Sequence, residues 1–208
     1  IVAKKAEKIC VAYDNMDKWF PEDRIVLTGN PLRNNIKPLD GKRSEGVEFF
    51  GLNPDKKVIL LVGGSQGALG INKGISAKLD AFVGNDCQMI WQTGTHYYDK
   101  AVEEVKNCGI QDRIKCTVFI DRMDMAYAAA DVVISRAGAM SISELSLLRK
   151  AVVFVPLPTA AEDHQTKNAM SLVKENAAMM VKNSETEKEL LPRVFALIED
   201  EAKQDEMK

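Results

Sequence analysis

Residues 58–68 read Val58-Ile59-Leu60-Leu61-Val62-Gly63-Gly64-Ser65-Gln66-Gly67-Ala68. Val58 to Val62 is a short, wholly apolar run, the composition of a parallel strand covered on both faces. The glycines that follow let the backbone turn sharply and approach a ligand without Cβ clashes. From Ala68 the pattern becomes helical, with Ala68, Leu69, Ile71, Ile75 and Leu79 spaced for one apolar stripe. Strand, glycine turn and helix together offer unpaired N–H groups and the positive end of a helix dipole to an anion. The stretch reads as a phosphate-binding turn; the plain alternative is a strand-to-helix turn with glycines for tightness alone.

Neither of the two commonest phosphate loops fits. A P-loop, G-x-x-x-x-G-K-[ST], needs a lysine to reach a terminal phosphate, and none stands there. The dinucleotide pattern G-x-G-x-x-G fails because Gln66 occupies the place of the second required glycine after Gly64. Ser65 and Gln66 instead supply a hydroxyl and an amide, which suit a diphosphate held without a metal.

Working outward, strands alternate with helices. Cys87 to Gln92, Ile114 to Phe119, Val132 to Ser135, Ala151 to Val155 and Ala177 to Val181 read as strands. Tyr97 to Asn107, Asp121 to Ala130, Gly138 to Leu148, Asp163 to Asn176 and Glu185 to Glu199 read as helices. Such alternation implies an α/β fold with a Rossmann-like, doubly wound parallel sheet and right-handed crossovers. Ligands in these sheets bind beyond the carboxyl ends of the strands. Upstream, Ile9 to Tyr13 and Arg24 to Leu27 read as strands, flanking a short turn that carries Trp19 and Phe20. Thr28-Gly29-Asn30-Pro31-Leu32-Arg33 breaks the backbone, and Asn30 to Pro38 reads as a linker. A helix is expected from about Gly41 to Leu52, in a domain starting near Asp40. Ile1 to Ala6 reads as the end of a helix already under way, so the chain looks like a piece of something longer. Glu201 to Lys208 is charged and expected to fray.

At 208 residues the chain has room for one large domain, or one domain with an appendage. The net charge of −2 argues against a nucleic-acid binder, which normally carries a basic excess. Cys10, Cys87, Cys108 and Cys116 form no C-x-x-C pair, so neither a zinc knuckle nor a disulfide framework is indicated, and reduced, buried thiols in a cytosolic protein are expected. No apolar run approaches the roughly 20 residues of a membrane span, and no signal peptide is visible.

Three further segments carry groups that could do chemistry. Phe119-Ile120-Asp121-Arg122-Met123 follows a strand, and its backbone could read a planar base such as uracil; alternatively Phe119 and Ile120 are simply core. Ser135 to Glu144 (SRAGAMSISE) is a second strand–glycine–helix junction, where small residues let a ligand lie close to a helix start. Glu144 there could accept two hydrogen bonds from a ribose diol. Ser141-x-x-Glu144 also matches a capping box, in which the carboxylate only ties down a backbone N–H. Arg136 is either a phosphate contact or a solvated strand-end residue. Ala160 to Ala169 (AAEDHQTKNA), after Pro156-Leu157-Pro158, is a third junction, with Asp163, His164, Gln165 and Asn168 suited to sugar hydroxyls; a polar first turn capped by Asp163 is the alternative. His164 lacks a second histidine at metal-ligand spacing, and His96 reads as a surface residue.

In order and spacing, these segments resemble the C-terminal half of the MurG family of bacterial N-acetylglucosaminyltransferases. The carriers are Gly63 to Ala68, Thr28 to Arg33, Phe119 to Met123, Arg136 to Glu144 and Ala161 to Asn168. The resemblance implies the two-domain GT-B fold. Residues 1–29 would be the tail of an N-terminal acceptor domain, 30–39 the linker, 40–200 a donor-binding domain and 201–208 a tail. It implies an inverting transfer of N-acetylglucosamine from UDP-N-acetylglucosamine to the 4-hydroxyl of lipid I, making lipid II for peptidoglycan, with no metal or other cofactor. Gly64, Ser65, Gln66 and Gly67 would meet the diphosphate, with Ala139 and Met140 beside the phosphates and Arg33 contributing from the hinge. Ile120 would bind uracil through its backbone, Glu144 the ribose, and Gln165 with Thr166 the sugar hydroxyls. The acceptor, the catalytic base and contact with the inner face of the bacterial membrane would belong to the N-terminal half, leaving no catalytic residue in this stretch. Two other readings stand beside it: another GT-B enzyme, such as a UDP-sugar epimerase or a glycosyltransferase with a different acceptor, and a non-enzymatic nucleotide-sugar-sensing or interaction module.

Overall fold

The computed structural model describes residues 3, 5–12, 14–34, 36–39 and 41–208. It divides into two compact units, 1–34 and 35–208. In the smaller unit, β1 (Ile9–Val11) pairs in parallel with β2 (Ile25–Leu27). The expected helix end at Ile1 to Ala6, the extension of the first strand to Tyr13 and the domain start at Asp40 all touch residues outside the described ones. Trp19 is 76% exposed.

The larger unit begins at residue 35, inside the linker expected from the sequence and ahead of the domain start expected near Asp40. Ile36 is buried with Val47, Leu52 and Val58, and Leu39 packs against the same cluster, so this part of the expected linker is anchored on the core. Helix α1 (Arg43–Phe49) follows, ending at Gly51 in the left-handed region. The chain then alternates: β3 (Lys57–Val62), α2 (Leu69–Ser76), a short α3 (Ala81–Gly84), β4 (Cys87–Gln92), α4 (Tyr98–Asn107), β5 (Ile114–Thr117), α5 (Met123–Ala129), β6 (Val132–Ser135), α6 (Ala139–Leu147), β7 (Ala151–Phe154), α7 (His164–Lys174) and β8 (Met179–Met180). The last predicted helix is two pieces, a π-helical turn at Thr186–Leu190 and α8 (Leu191–Glu199), because Pro192 has no N–H to continue the ladder. The tail does not fray. Glu201–Glu206 forms α9, capped by the Asp200 carboxylate accepting from the Lys203 N–H at 2.9 Å, with Gln204 and Met207 buried.

The six strands of the larger unit are parallel, in the order β5-β4-β3-β6-β7-β8. Alternate residues of β3 serve opposite faces. Ile59 and Leu61 pack with Ile71, Ile75 and Phe82 from α2 and α3, and with Val194 and Ile198 from α8. Val58 and Leu60 pack with Val47 of α1, Met123 and Ala126 of α5, and Leu145 of α6. The result is a doubly wound, three-layer fold, as the apolar run at Val58–Val62 requires.

An ionic fastening ties the sheet at the start of its two central strands. The Asp131 carboxylate accepts from the Val58 N–H at 2.7 Å and from Arg43 Nη2 at 3.2 Å, while the Asp131 N–H donates to the Val58 carbonyl at 2.9 Å. Arg43 also donates to the carbonyls of Pro54 and Lys56, at 3.0 and 2.8 Å.

Candidate functional site

Strand order reverses between β3 and β6, and side-by-side strands whose connections leave in opposite directions open a crevice at their carboxyl ends. A cleft of about 540 Å³ lies there. Gly63, Gly64 and Gly67 form one wall; Arg136 and Gly138 form the other; Leu157 and Gln165 close it from the side of β7 and α7.

The glycine turn is fixed by backbone contacts that leave no room for side chains. Gly64 and Gly67 have φ of +90° and +76°, and the Gly67 N–H donates to the Gly64 carbonyl at 2.9 Å. A Cβ on Gly67 would meet the carbonyl oxygen of Thr93, and one on Gly94, itself at φ +76°, would meet the carbonyl oxygen of Gln66. The two loops therefore pass backbone against backbone. Behind them, Gln92 Nε2 donates to the Gly64 carbonyl at 2.8 Å, and Asn72 bridges from Trp91 Nε1 (3.0 Å) to the Thr93 carbonyl (2.8 Å). These polar groups are buried to 1–2% exposure, so every hydrogen bond is needed to offset their loss of water. Sequence reading missed all three; the available signal was an amide at the end of an apolar strand and an asparagine on the buried stripe of α2.

Helix α2 starts from Ala68 and α6 from Gly138, and neither start receives a side-chain cap. The first-turn amides of both helices are left for water or a ligand. Leu69, expected on the apolar stripe of α2, is 60% exposed on the cleft instead; Ala68, Ile71, Ile75 and Leu79 are the buried stripe. Among the described residues, Arg136 is the charged side chain lining this cleft. Its Nη1 donates to the carbonyls of Val155 and Pro156, both at 3.0 Å, and its burial pulls its pKa below the ordinary guanidinium value. Arg136 is thus a partly buried clamp between the loops after β6 and β7, not a solvated strand end. The cleft combines two uncapped helix starts, glycine backbone and one cation, which is an arrangement for an anion.

The remaining expected residues divide. Ser65 and Gln66 stand exposed at the tip of the glycine turn, and Ala139 and Met140 form the first residues of α6, Met140 being 41% exposed. Gln165 lines the cleft and its Oε1 accepts from the Leu157 N–H at 3.0 Å. Thr166 faces an adjoining hollow instead, its hydroxyl donating to Asp163 at 2.6 Å. Ile120 follows β5, on the same carboxyl edge of the sheet; its side chain is 3% exposed, whereas Phe119 is 49% exposed and not core. The capping box at Ser141 does not form. The backbone break at the end of β6 makes Gly138 the first cap, so Ser141 lies within the first turn and Glu144 in the second. The Glu144 carboxylate is 2% exposed and accepts from the Tyr127 hydroxyl at 3.0 Å. Asp163 sits in the left-handed region and gives α7 no side-chain cap. His96 is exposed. Arg33 belongs to the smaller unit.

A family model described as glycosyltransferase family 28 C-terminal domain matches residues 58–208, the span that begins in β3 and holds the six-stranded sheet. The chain is 53% identical over 201 residues to a Parabacteroides distasonis protein named UDP-N-acetylglucosamine–N-acetylmuramyl-(pentapeptide) pyrophosphoryl-undecaprenol N-acetylglucosamine transferase, covering 97% of this chain and 54% of that one. A Bacteroides thetaiotaomicron protein of the same name is 49% identical over 208 residues, covering 100% and 56%. Among solved structures, that of Acinetobacter baumannii MurG superposes with a TM-score of 0.67 at 29% identity, covering 99% of this chain and 56% of that one. The chain spans about half the length of the curated relatives it matches. No helix among the described residues is long and apolar enough to cross a membrane. A doubly wound sheet, a glycine-walled cleft at its switch point and a family match over that same sheet agree: the chain belongs to glycosyltransferase family 28, and residues 58–208 are its C-terminal domain.

Proposed function

We propose that this chain is the donor-binding half of an inverting N-acetylglucosaminyltransferase. It would hold UDP-N-acetylglucosamine while the 4-hydroxyl of the muramyl unit of lipid I attacks the anomeric carbon and UDP leaves. The observation that carries the reading is the cleft itself, where two uncapped helix starts and Arg136 converge at the switch point of the sheet. The names of relatives at 49–53% identity supply the donor and acceptor.

Charge develops on the departing diphosphate, and the first-turn amides of α2 and α6 are positioned to receive it. A helix dipole contributes about 0.3–2 kcal/mol, and a well-aimed donor in a water-poor site about 3 kcal/mol. That is a fraction of what a glycosyl transfer requires, so acceptor positioning and proton removal fall to the N-terminal half, as does contact with the inner face of the bacterial membrane. The amides and Arg136 support binding without a metal. The backbone of Ile120, which makes no hydrogen bond to a described residue, suits the edge of uracil. Glu144 would take the ribose hydroxyls by turning out from Tyr127. The exposed amide and hydroxyl of Gln66 and Ser65 would fold over the diphosphate. Gln165 would hold sugar hydroxyls.

Titration calorimetry of the chain with UDP and UDP-N-acetylglucosamine tests the reading. Saturable binding of both is expected, together with no transfer to lipid I by this chain alone. Absence of heat and of thermal stabilisation at millimolar ligand would overturn it.

A further inference from the structure

The glycine turn of the cleft is tied to the sheet by one side chain from a neighbouring strand. The Gly64 carbonyl accepts two hydrogen bonds, from the Gly67 N–H at 2.9 Å and from Gln92 Nε2 at 2.8 Å. A carbonyl oxygen has two lone pairs, so this one is fully engaged. The first bond lies within the turn and moves with it. The second does not. Gln92 ends β4, in register with Val62 of β3 on one side and Thr117 of β5 on the other, and it is buried. A buried side chain on a residue laddered from both sides cannot follow the turn, so its bond fixes the Gly64 carbonyl relative to the sheet.

Fixing that carbonyl also fixes the other end of the same peptide unit. In a trans peptide the C=O and the N–H that follows it point in opposite directions, and this peptide is trans. With the Gly64 carbonyl drawn toward β4, the Ser65 N–H is turned away from β4. Strand β3 lies between β4 and β6, so that is the side on which the cleft opens, with Gly64 on its near wall and Arg136 and Gly138 opposite. The Ser65 N–H makes no hydrogen bond to a described residue. Backbone sterics alone do not enforce this orientation: Gly64, at φ +90°, has no Cβ to resist rotation of the peptide. A rotated peptide would place a carbonyl oxygen, with its partial negative charge, where an anion binds.

We infer that Gln92 is a positioning residue for the diphosphate: by holding the Gly64 carbonyl on the β4 side, it aims the Ser65 N–H into the cleft. Gln92 acts through the peptide and not by touching the ligand. The inference rests on the donor-binding reading above and adds to it the group that orients the turn.

The test compares UDP with uridine, which lacks the diphosphate, on the unaltered chain and on Gln92→Met, which keeps the buried volume and removes the donor. Affinity for UDP should fall about 10-fold in the variant, the worth of one hydrogen bond to a charged group, while affinity for uridine stays within about twofold. Isotope-edited NMR follows the Ser65 amide. In the unaltered chain its proton should move downfield on saturation with UDP but not with uridine, and the movement should shrink in Gln92→Met. Equal losses of UDP and uridine affinity would overturn the inference, because they mark a purely structural role. So would an unchanged UDP affinity. A Ser65 resonance that UDP leaves unmoved in the unaltered chain would overturn it without recourse to the variant. Failure of the unaltered chain to bind either ligand would instead remove the donor-binding reading beneath it.

Discussion

Replacing Gly67 by alanine separates two roles that glycine plays in the cleft wall. At φ +76° an alanine carries a left-handed penalty of about 1–2 kcal/mol. In addition, its Cβ would run into the Thr93 carbonyl oxygen, a backbone atom that cannot swing aside as a side chain would. Forcing the two loops apart adds about 1–3 kcal/mol of overpacking, so Gly67→Ala should cost about 3 kcal/mol. Gly64→Ala is the control. Its φ of +90° carries the conformational penalty, but a Cβ there meets nothing within 4 Å. Urea denaturation followed by fluorescence of the buried Trp91 reads the difference, and melting should fall by about 2–4 °C per kcal/mol for a chain of this size. Gly94→Ala should behave like Gly67→Ala, because its Cβ would meet the Gln66 carbonyl across the same seam. The double variant should then cost less than the sum, since one separation relieves both clashes. Equal destabilisation by Gly64→Ala and Gly67→Ala, or strict additivity of the Gly67 and Gly94 changes, would refute the backbone-to-backbone account.

Burial pushes the Lys150 amine down to about 8, its Nζ donating to the Ala130 carbonyl at 2.8 Å, so between pH 8 and 10.5 the unfolded chain holds a proton that the folded chain has released. This group's contribution to stability therefore rises with pH, and denaturation at pH 7.5 and 9 should show the chain gaining about 1 kcal/mol relative to Lys150→Met; no difference in slope would count against it. Burial also pushes the thiols of Cys87 and Cys116 up to about 12, whereas Cys10 and Cys108 are exposed, against the expectation of buried thiols throughout. Alkylation at pH 8 should find two fast cysteines and two that react only on unfolding, identified by peptide mapping; rapid modification of Cys87 would contradict the packing.

The central strands were legible because burial on both faces leaves an apolar run that no helical period competes with. Cys87–Gln92 and Val132–Ser135 coincide with the strands read from sequence. What tertiary contact decides was not legible. Pro31 and Pro38 mark a linker locally, yet Ile36 between them is drawn into the core. Glu201–Glu206 is charged enough to fray, but an Asp200 cap and the burial of Met207 hold it as a helix. At the site, the glycine turn and the helix starts could be read from composition. Ser141-x-x-Glu144 looked like a cap because the motif carries no information on where the helix begins; the end of β6 sets that at Gly138. Asn183 lines the cleft yet sits in no motif; it reaches that wall by packing against Gly70, far away in sequence, so periodicity could not reveal it.

The Asp131–Arg43 fastening has a consequence for how relatives could diverge. It grips the foot of β3 and β6, and from there the rungs Ile59–Val132 to Val62–Ser135 run unbroken to the mouth of the cleft. Those rungs leave neither strand free to slide, so the fastening secures their register from the end opposite the cleft. A relative that lost Arg43 would leave the Asp131 carboxylate with the Val58 N–H and no guanidinium, and a change at either position therefore calls for a matching change at the other.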